Sequence, residues 1–189
     1  MSKKIGKIFF IIGCVFLFLA LSLFLYNYYL IKSTEKNTVQ LLEKLEKQIL
    51  INKENKVNEI QYIEIDVNKY IGKLEIPNLN ISLPVLKEID NEKLIISPCK
   101  YYGDINQEQL IIAAHNYPKF FGNLKYLNSE DIVSFTDVCG NKINYKVELI
   151  ESINSTDVSK MINSNFDLTL FTCNNTRTTR ITVRCNLIV

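Results

Sequence analysis

The stretch LTLFTCNNTRTTRITVRC, residues 168–185, decides the fold. Its two ends alternate β-branched, apolar or aromatic residues with polar ones, and 174–179 between them holds two asparagines and three threonines. That pattern predicts an antiparallel hairpin with a connecting loop. With Cys173 opposite Arg180, strand alternation sorts the side chains onto two faces. Leu168, Leu170, Thr172, Ile181, Val183 and Cys185 share an apolar face, expected to be core. Thr169, Phe171, Cys173, Arg180, Thr182 and Arg184 share the other, expected to be open. A slip of one residue would exchange the faces of one strand and part Cys173 from Arg180, so the register carries the reading.

Working upstream from the hairpin, the same texture continues back to about residue 70. The runs YIGKLEIP, LNISLPVL, KLIIS, QLIIAAH, DIVSFT and KINYKVELI are short, rich in β-branched and aromatic residues, and separated by Gly, Asn, Asp and Pro. With the two hairpin arms they make eight runs, which predicts an all-β barrel or sandwich. Pro77 and Pro84 are expected to flank strands. NYPKFFGNLKYLNSED, 116–131, suits one short helix or turn.

Further upstream, IFFIIGCVFLFLALSLFL at 8–25 carries no charge and is followed by Tyr26, Tyr28 and Tyr29. About 20 apolar residues cross a bilayer as a helix, and tyrosines favour its interface. The run is longer than the core of a cleaved signal peptide and continues past Ala20-Leu21-Ser22, which predicts an uncleaved signal anchor. Lys3, Lys4 and Lys7 precede it, so the N-terminus is expected in the cytoplasm and the rest outside. The expected organisation is a cytoplasmic tail (1–7), a transmembrane anchor (8–31), a stalk or linker (32–69) and a β domain (70–189). Within the stalk, Val39, Leu42, Leu45 and Ile49 stand at helical spacing. The net charge of +2, with lysines dispersed among acidic residues, gives no footprint for nucleic acid.

An exported domain meets oxidising surroundings, so its cysteines should be paired or special. Cys14 falls in the membrane span, leaving Cys99, Cys139, Cys173 and Cys185, enough for two disulfides. Against that pairing stands the placement of Cys173 beside Arg180, because a neighbouring guanidinium favours the nucleophilic thiolate. A nucleophile needs a proton partner. The chain has one histidine, His115, at the end of LIIAAH, where a strand meets a polar loop. Arg177 lies within the hairpin loop and Arg184 about 13 Å along the strand, so Arg180 is the preferred arginine.

These residues fit a pattern. TLFTC (169–173), an arginine opening the next strand, IGKLEIPNLNISLPVL and AAHN followed by FFGNLKYLNSEDIVSF resemble the sortases, cysteine transpeptidases of the Gram-positive cell surface. The resemblance covers roughly 71–189. It implies a closed eight-stranded β-barrel with short helices, and catalysis by His115, Cys173 and Arg180. The candidate substrate contacts are Asn116, where relatives commonly carry Arg or Ser, and Thr172, whose core-side placement suits a packing or hydrogen-bonding role equally well. The implied substrates are proteins with an LPxTG-like sorting signal, and the implied acceptor is a peptidoglycan cross-bridge amine or a pilin lysine. The short span between His115 and Cys173 lacks room for the helical insertion of class B, and no second apolar span follows as in class C, leaving a class A-like or class D-like enzyme.

Papain-type enzymes place cysteine before histidine, and the caspase signature is missing. The competing reading from another class is a non-catalytic surface β module stapled by disulfides. No cofactor is expected, and no metal: one histidine with dispersed cysteines lacks zinc spacing. Calcium could assist, but Glu64, Asp66, Asp104 and Glu108 form no loop motif.

Overall fold

The computed structural model describes residues 3–105 and 109–188. The chain divides into two units, 1–37 and 38–189, and helix α1 (Lys3–Glu54) begins in the first and ends in the second. In the first unit, Gly6–Tyr26 is helical, exposed, and long and apolar enough to cross a membrane. The side chains of Lys3, Lys4 and Lys32, on which the orientation rests, lie outside the described residues, as does Glu108.

The second unit is built on one sheet. Its strands are β1 (Ile63–Ile65), β2 (Asn68–Ile76), β3 (Ile81–Leu86), β4 (Cys99–Gly103), β5 (Leu110–Ala113), β6 (Ile132–Asp137), β7 (Lys142–Asn154), β8 (Leu168–Cys173) and β9 (Thr179–Leu187). They run in the order β1-β2-β3-β4-β5-β8-β9-β7-β6, and β6 pairs back onto β2. The sheet therefore closes into a barrel of eight strands, β2 to β9, with β1 folded against β2 outside the ring. Closure leaves the barrel without a free edge. Gly72 sits on the seam at φ +154°, and a Cβ there would come 2.2 Å from the Thr136 carbonyl, so only glycine lets β2 approach β6 so closely.

Alternation decides what fills the barrel. Along β2 the buried positions are Tyr70, Gly72, Leu74 and Ile76. The interior is packed by Leu74, Leu83, Leu110, Ile112, Phe135, Leu168, Leu170 and Val183, with Phe120, Phe121 and Leu124 reaching in from the 114–131 connection. That connection holds the expected short turn, a 3₁₀ turn at Leu124–Tyr126.

One predicted strand is a helix. KLIIS falls in α2 (Asn91–Ile96), because Asp90 caps it by accepting from the Lys93 backbone N–H at 2.7 Å. Short β-branched runs fit helix or strand, and here the cap decides. Its place in the barrel is taken by CKYYG, β4. Pro84, expected beside a strand, lies inside β3. It is tolerated there because β3 pairs fully with β2 on one side but meets β4 only at Leu86–Cys99 on the other.

Within the region read as a stalk or linker, the chain is helical to Glu54, and part of that helix is packed. Leu45 and Ile49 are buried against Ile63, Tyr70, Leu86, Cys99 and Val138. Asn52 donates to the Val138 carbonyl at 2.9 Å, and Lys73 pairs with Glu46. Leu45→Ala is expected to lower the unfolding free energy by about 2–5 kcal/mol, whereas Val39→Ala, at an exposed site, changes it by no more than about 0.5 kcal/mol. Denaturant titration checks both.

All five cysteines are free thiols, so no disulfide staples the barrel. Burial pushes the Cys99 and Cys185 thiols up to about 12, which makes them inert packing residues.

Candidate active site

The hairpin register is the one that pairs Leu168 with Cys185 and Cys173 with Arg180. Cys185 is fully buried in the barrel core, as its face requires. The other face is not open along its length. Thr169, Phe171, Thr182 and Arg184 are all buried there, beneath Ile153 and the short helix α3 (Val158–Ile162), whose Met161 packs with Ile111, Ala113 and Phe171. Only the last pair of this face, Cys173 and Arg180, reaches the surface, each partly exposed.

His115 arrives from the neighbouring strand. β5 runs parallel to β8, with Ala113 opposite Phe171. The pairing continues past β5: the Ala114 N–H donates to the Phe171 carbonyl at 3.2 Å, and the Thr172 hydroxyl donates to the Ala114 carbonyl at 2.8 Å. One residue further on, His115 is level with Cys173. Adjacent strands lie about 4.8 Å apart, so Cys173 stands on a middle strand with His115 on one flank and Arg180 on the other.

The arginine is held in place. Its Nη1 lies 3.8 Å from the Cys173 sulfur, and its guanidinium carbon sits 5.1 Å from the Phe171 ring centre. Phe171 shares a face with Cys173, so alternation brings it under the arginine, and the ring's negative face attracts the cation. Tyr101 meets the same ring edge-on at 5.1 Å. His115 rests on Tyr117, ring centres 5.1 Å apart. Neither aromatic support was singled out from the sequence, although Phe171 follows from the period of two and Tyr117 lies two residues beyond the histidine.

Burial lowers the pKa of His115 below its ordinary value, and the positive charge of Arg177 lowers it further. Imidazolium is thus disfavoured in the fold, so the contribution to stability is present above the unfolded pKa of about 6.5 and is lost as pH falls. Arg177, the source of that charge, has φ +60° and stands in the exposed loop. Arg177→Ala is expected to raise the His115 pKa. With one histidine in the chain, a single imidazole resonance followed by NMR through the titration reads it directly.

Thr172 is buried with its hydroxyl bonded, which leaves it no surface for a ligand; its work is to tie β8 to β5 beside the site. Asn116 is partly exposed and donates to the Asn175 side chain at 2.8 Å, linking the loop after His115 to the hairpin loop. A polar groove of about 460 Å³ opens here. Asn116, Asn174 and Ile181 line it, and each is the chain neighbour of His115, Cys173 or Arg180. Arg184 lies far from the thiol, in the buried layer. Among the described residues no three His, Cys, Asp or Glu side chains gather as a metal site.

A partly exposed thiol with a guanidinium beside it, and an imidazole just past the end of the neighbouring strand, are groups of the kind used in acyl transfer through a covalent intermediate. Comparison with known proteins agrees. The sortase-domain family model matches residues 74–188. Among solved structures, the fold is similar to Listeria monocytogenes sortase A, at 22% identity and TM-score 0.58, covering 64% of this chain and 88% of that one. Sortase C1 from Streptococcus agalactiae matches at 21% identity and TM-score 0.58, covering 76% and 89%. A Clostridium perfringens sortase D5 transpeptidase matches at 17% and TM-score 0.65, covering 82% and 99%. A search of the curated proteins finds no match to the chain. With the family model covering more than half of its length, and the closed barrel shared with those structures, the chain belongs to the sortase family of transpeptidases.

Proposed function

We propose that the protein cleaves an LPxTG-like sorting signal and transfers the cut protein to an amine on the cell surface. The observation that carries this is the pairing of Cys173 with Arg180 across β8–β9, with His115 two residues beyond the end of the neighbouring strand β5. The Cys173 thiol gives its proton to His115 as its sulfur attacks the carbonyl carbon of the motif's threonine, at the bond to the next residue. The carbonyl π-electrons move onto oxygen, and Arg180 stabilises that oxyanion. Collapse expels the amine, which takes its proton from His115, and leaves a thioester on Cys173. An incoming amine, from a peptidoglycan cross-bridge or a pilin lysine, gives its proton to His115 as it attacks the thioester. A new amide forms and the thiol is released.

The polar groove bounded by Asn116 and Asn175 lies where the peptide or the amine approaches, and Asn116 is the side chain to contact it. The apolar helix at Gly6–Tyr26 supports a single-pass anchor with the N-terminus in the cytoplasm and the barrel outside. The chain contains no long helical insertion between β7 and β8, which supports a class A-like or class D-like enzyme. The chemistry calls for no cofactor or metal.

A panel of fluorogenic LPxTG-like peptides, incubated with the protein and with its Cys173→Ala variant, tests the proposal. Cleavage by the parent alone supports it, and cleavage surviving in the variant overturns the assignment of the nucleophile.

A further inference from the structure

We propose that Arg184 is a positioning residue for the site: by pinning the 160–164 segment over Phe171 it fixes the Arg180 guanidinium beside Cys173. The inference rests on the catalytic row described above. Arg184 is among the largest fully buried side chains, 1% exposed, at a place where a leucine could have covered the sheet. A buried guanidinium is costly unless its donors are met. Here they are. Nε donates to Glu151 Oε1 at 3.1 Å. Nη1 donates to the Met161 carbonyl at 3.1 Å, to Ser164 Oγ at 3.2 Å and to Thr169 Oγ1 at 3.0 Å. Nη2 donates to the Lys160 carbonyl at 2.8 Å.

Two of those acceptors are carbonyls near the end of α3, groups that a helix terminus leaves without intrahelical partners. Met161 and Ile162 give the segment an apolar hold on the Phe171 cluster, and the planar fork of Arg184 adds polar ties at Lys160, Met161 and Ser164. Glu151 is in turn paired with Lys160 at 3.0 Å, and these two cations hold its carboxyl below the usual range although burial alone would raise it.

The path to the chemistry is short. Thr169–Arg184, Phe171–Thr182 and Cys173–Arg180 are successive pairs on one face of the β8–β9 ladder. Arg184 anchors Met161 at the bottom, and Met161, 2% exposed, packs in the same cluster as Phe171. The Phe171 ring, caught between this cluster and Tyr101, is the platform on which Arg180 lies. Let the segment lift, and the platform is free to turn.

The test uses the full chain in detergent with Arg184→Met and Arg184→Lys, each made in the parent and in an Arg180→Met background. Three quantities are read: the rate of Cys173 alkylation by iodoacetamide across pH, by mass spectrometry; the melting temperature; and kcat and KM on a peptide the parent cleaves. Displacement of a catalytic group by about 1 Å costs on the order of 100-fold, so kcat in Arg184→Met is expected to fall by about that factor. The alkylation profile of Cys173 in the folded protein should change as Arg180 leaves its place 3.8 Å from the sulfur, and Arg184→Lys, with one point charge for a fork, should show the same effect in smaller degree. In the Arg180→Met background the further change should stay within about twofold, as expected of two residues acting through one path.

A lower melting temperature with an unmoved alkylation profile overturns the proposal, as does an equal loss in both backgrounds. If Arg184→Met does not fold, the pair Ser164→Ala with Thr169→Val removes two acceptors while leaving the charge paired with Glu151. Its profile must then shift in the same direction, and an unmoved one overturns the proposal. Alkylation needs no substrate, so a failure of every peptide would count against the transpeptidase reading and leave the positioning result standing.

Discussion

Cys173→Ala is expected to abolish cleavage and acyl transfer, with kcat falling on the order of 10⁶-fold, the scale of removing a covalent nucleophile. The loss is chemical and not structural. Cys173 ends β8, is partly exposed, and is a free thiol, so alanine leaves no cavity and the melting temperature should hold. Cys185→Ala makes the opposite case. That thiol is fully buried inside the barrel, and its removal should lower stability while each folded molecule turns over normally. A gel-shift assay for the thioester formed with a sorting-signal peptide separates the two. The adduct forms on the Cys185→Ala protein and never on Cys173→Ala. An adduct on Cys173→Ala would show that another thiol carries the chemistry, and Cys99 and Cys185, both pushed up to about 12, are poor substitutes.

Arg180→Lys is expected to lower kcat by about 10²- to 10³-fold, the range found when one oxyanion donor is removed, despite conserving charge. The parent guanidinium does two things at once: Nη1 lies 3.8 Å from the sulfur while the plane rests over Phe171. An ammonium on a flexible stem offers one point charge and no plane to stack. KM should change far less than kcat, because the cation matters most when negative charge develops on the carbonyl oxygen. Steady-state kinetics on a single peptide give the split. A KM effect with unchanged kcat would make Arg180 a substrate-binding residue only.

The placement of the proposed site residues was legible in the sequence because it rests on two local periodicities. Residues 168–185 fix their own register once the loop is recognised, and QLIIAAH delivers its histidine at a strand end. What escaped was everything that covers the hairpin. Alternation says which face Arg184 occupies but not what lies over it, and NSTDVSKMINSNFD, 154–167, has too few apolar residues to announce a helix docked there. The same blindness applies to Leu45 and Ile49. Their spacing predicts a helix, yet only the partners at Tyr70, Leu86 and Val138, distant in sequence, turn a stalk into part of the domain. KLIIS shows the limit from the other side: one aspartate cap outweighs a β-branched run.

The parallel pairing of β5 with β8 has a consequence for when the protein becomes active. His115 and Cys173 meet through strands separated in the chain by β6, β7 and α3, a contact that pays its loop-closure entropy late in folding. The β8–β9 hairpin, by contrast, is local and closes only a short loop. A chain with that hairpin alone would hold Cys173 beside Arg180 without His115, the proposed proton donor, and turnover is expected only once the ring is shut. Activity is therefore expected to track completed folding, since the proposed thioester chemistry needs both the hairpin and the strand that leads to His115.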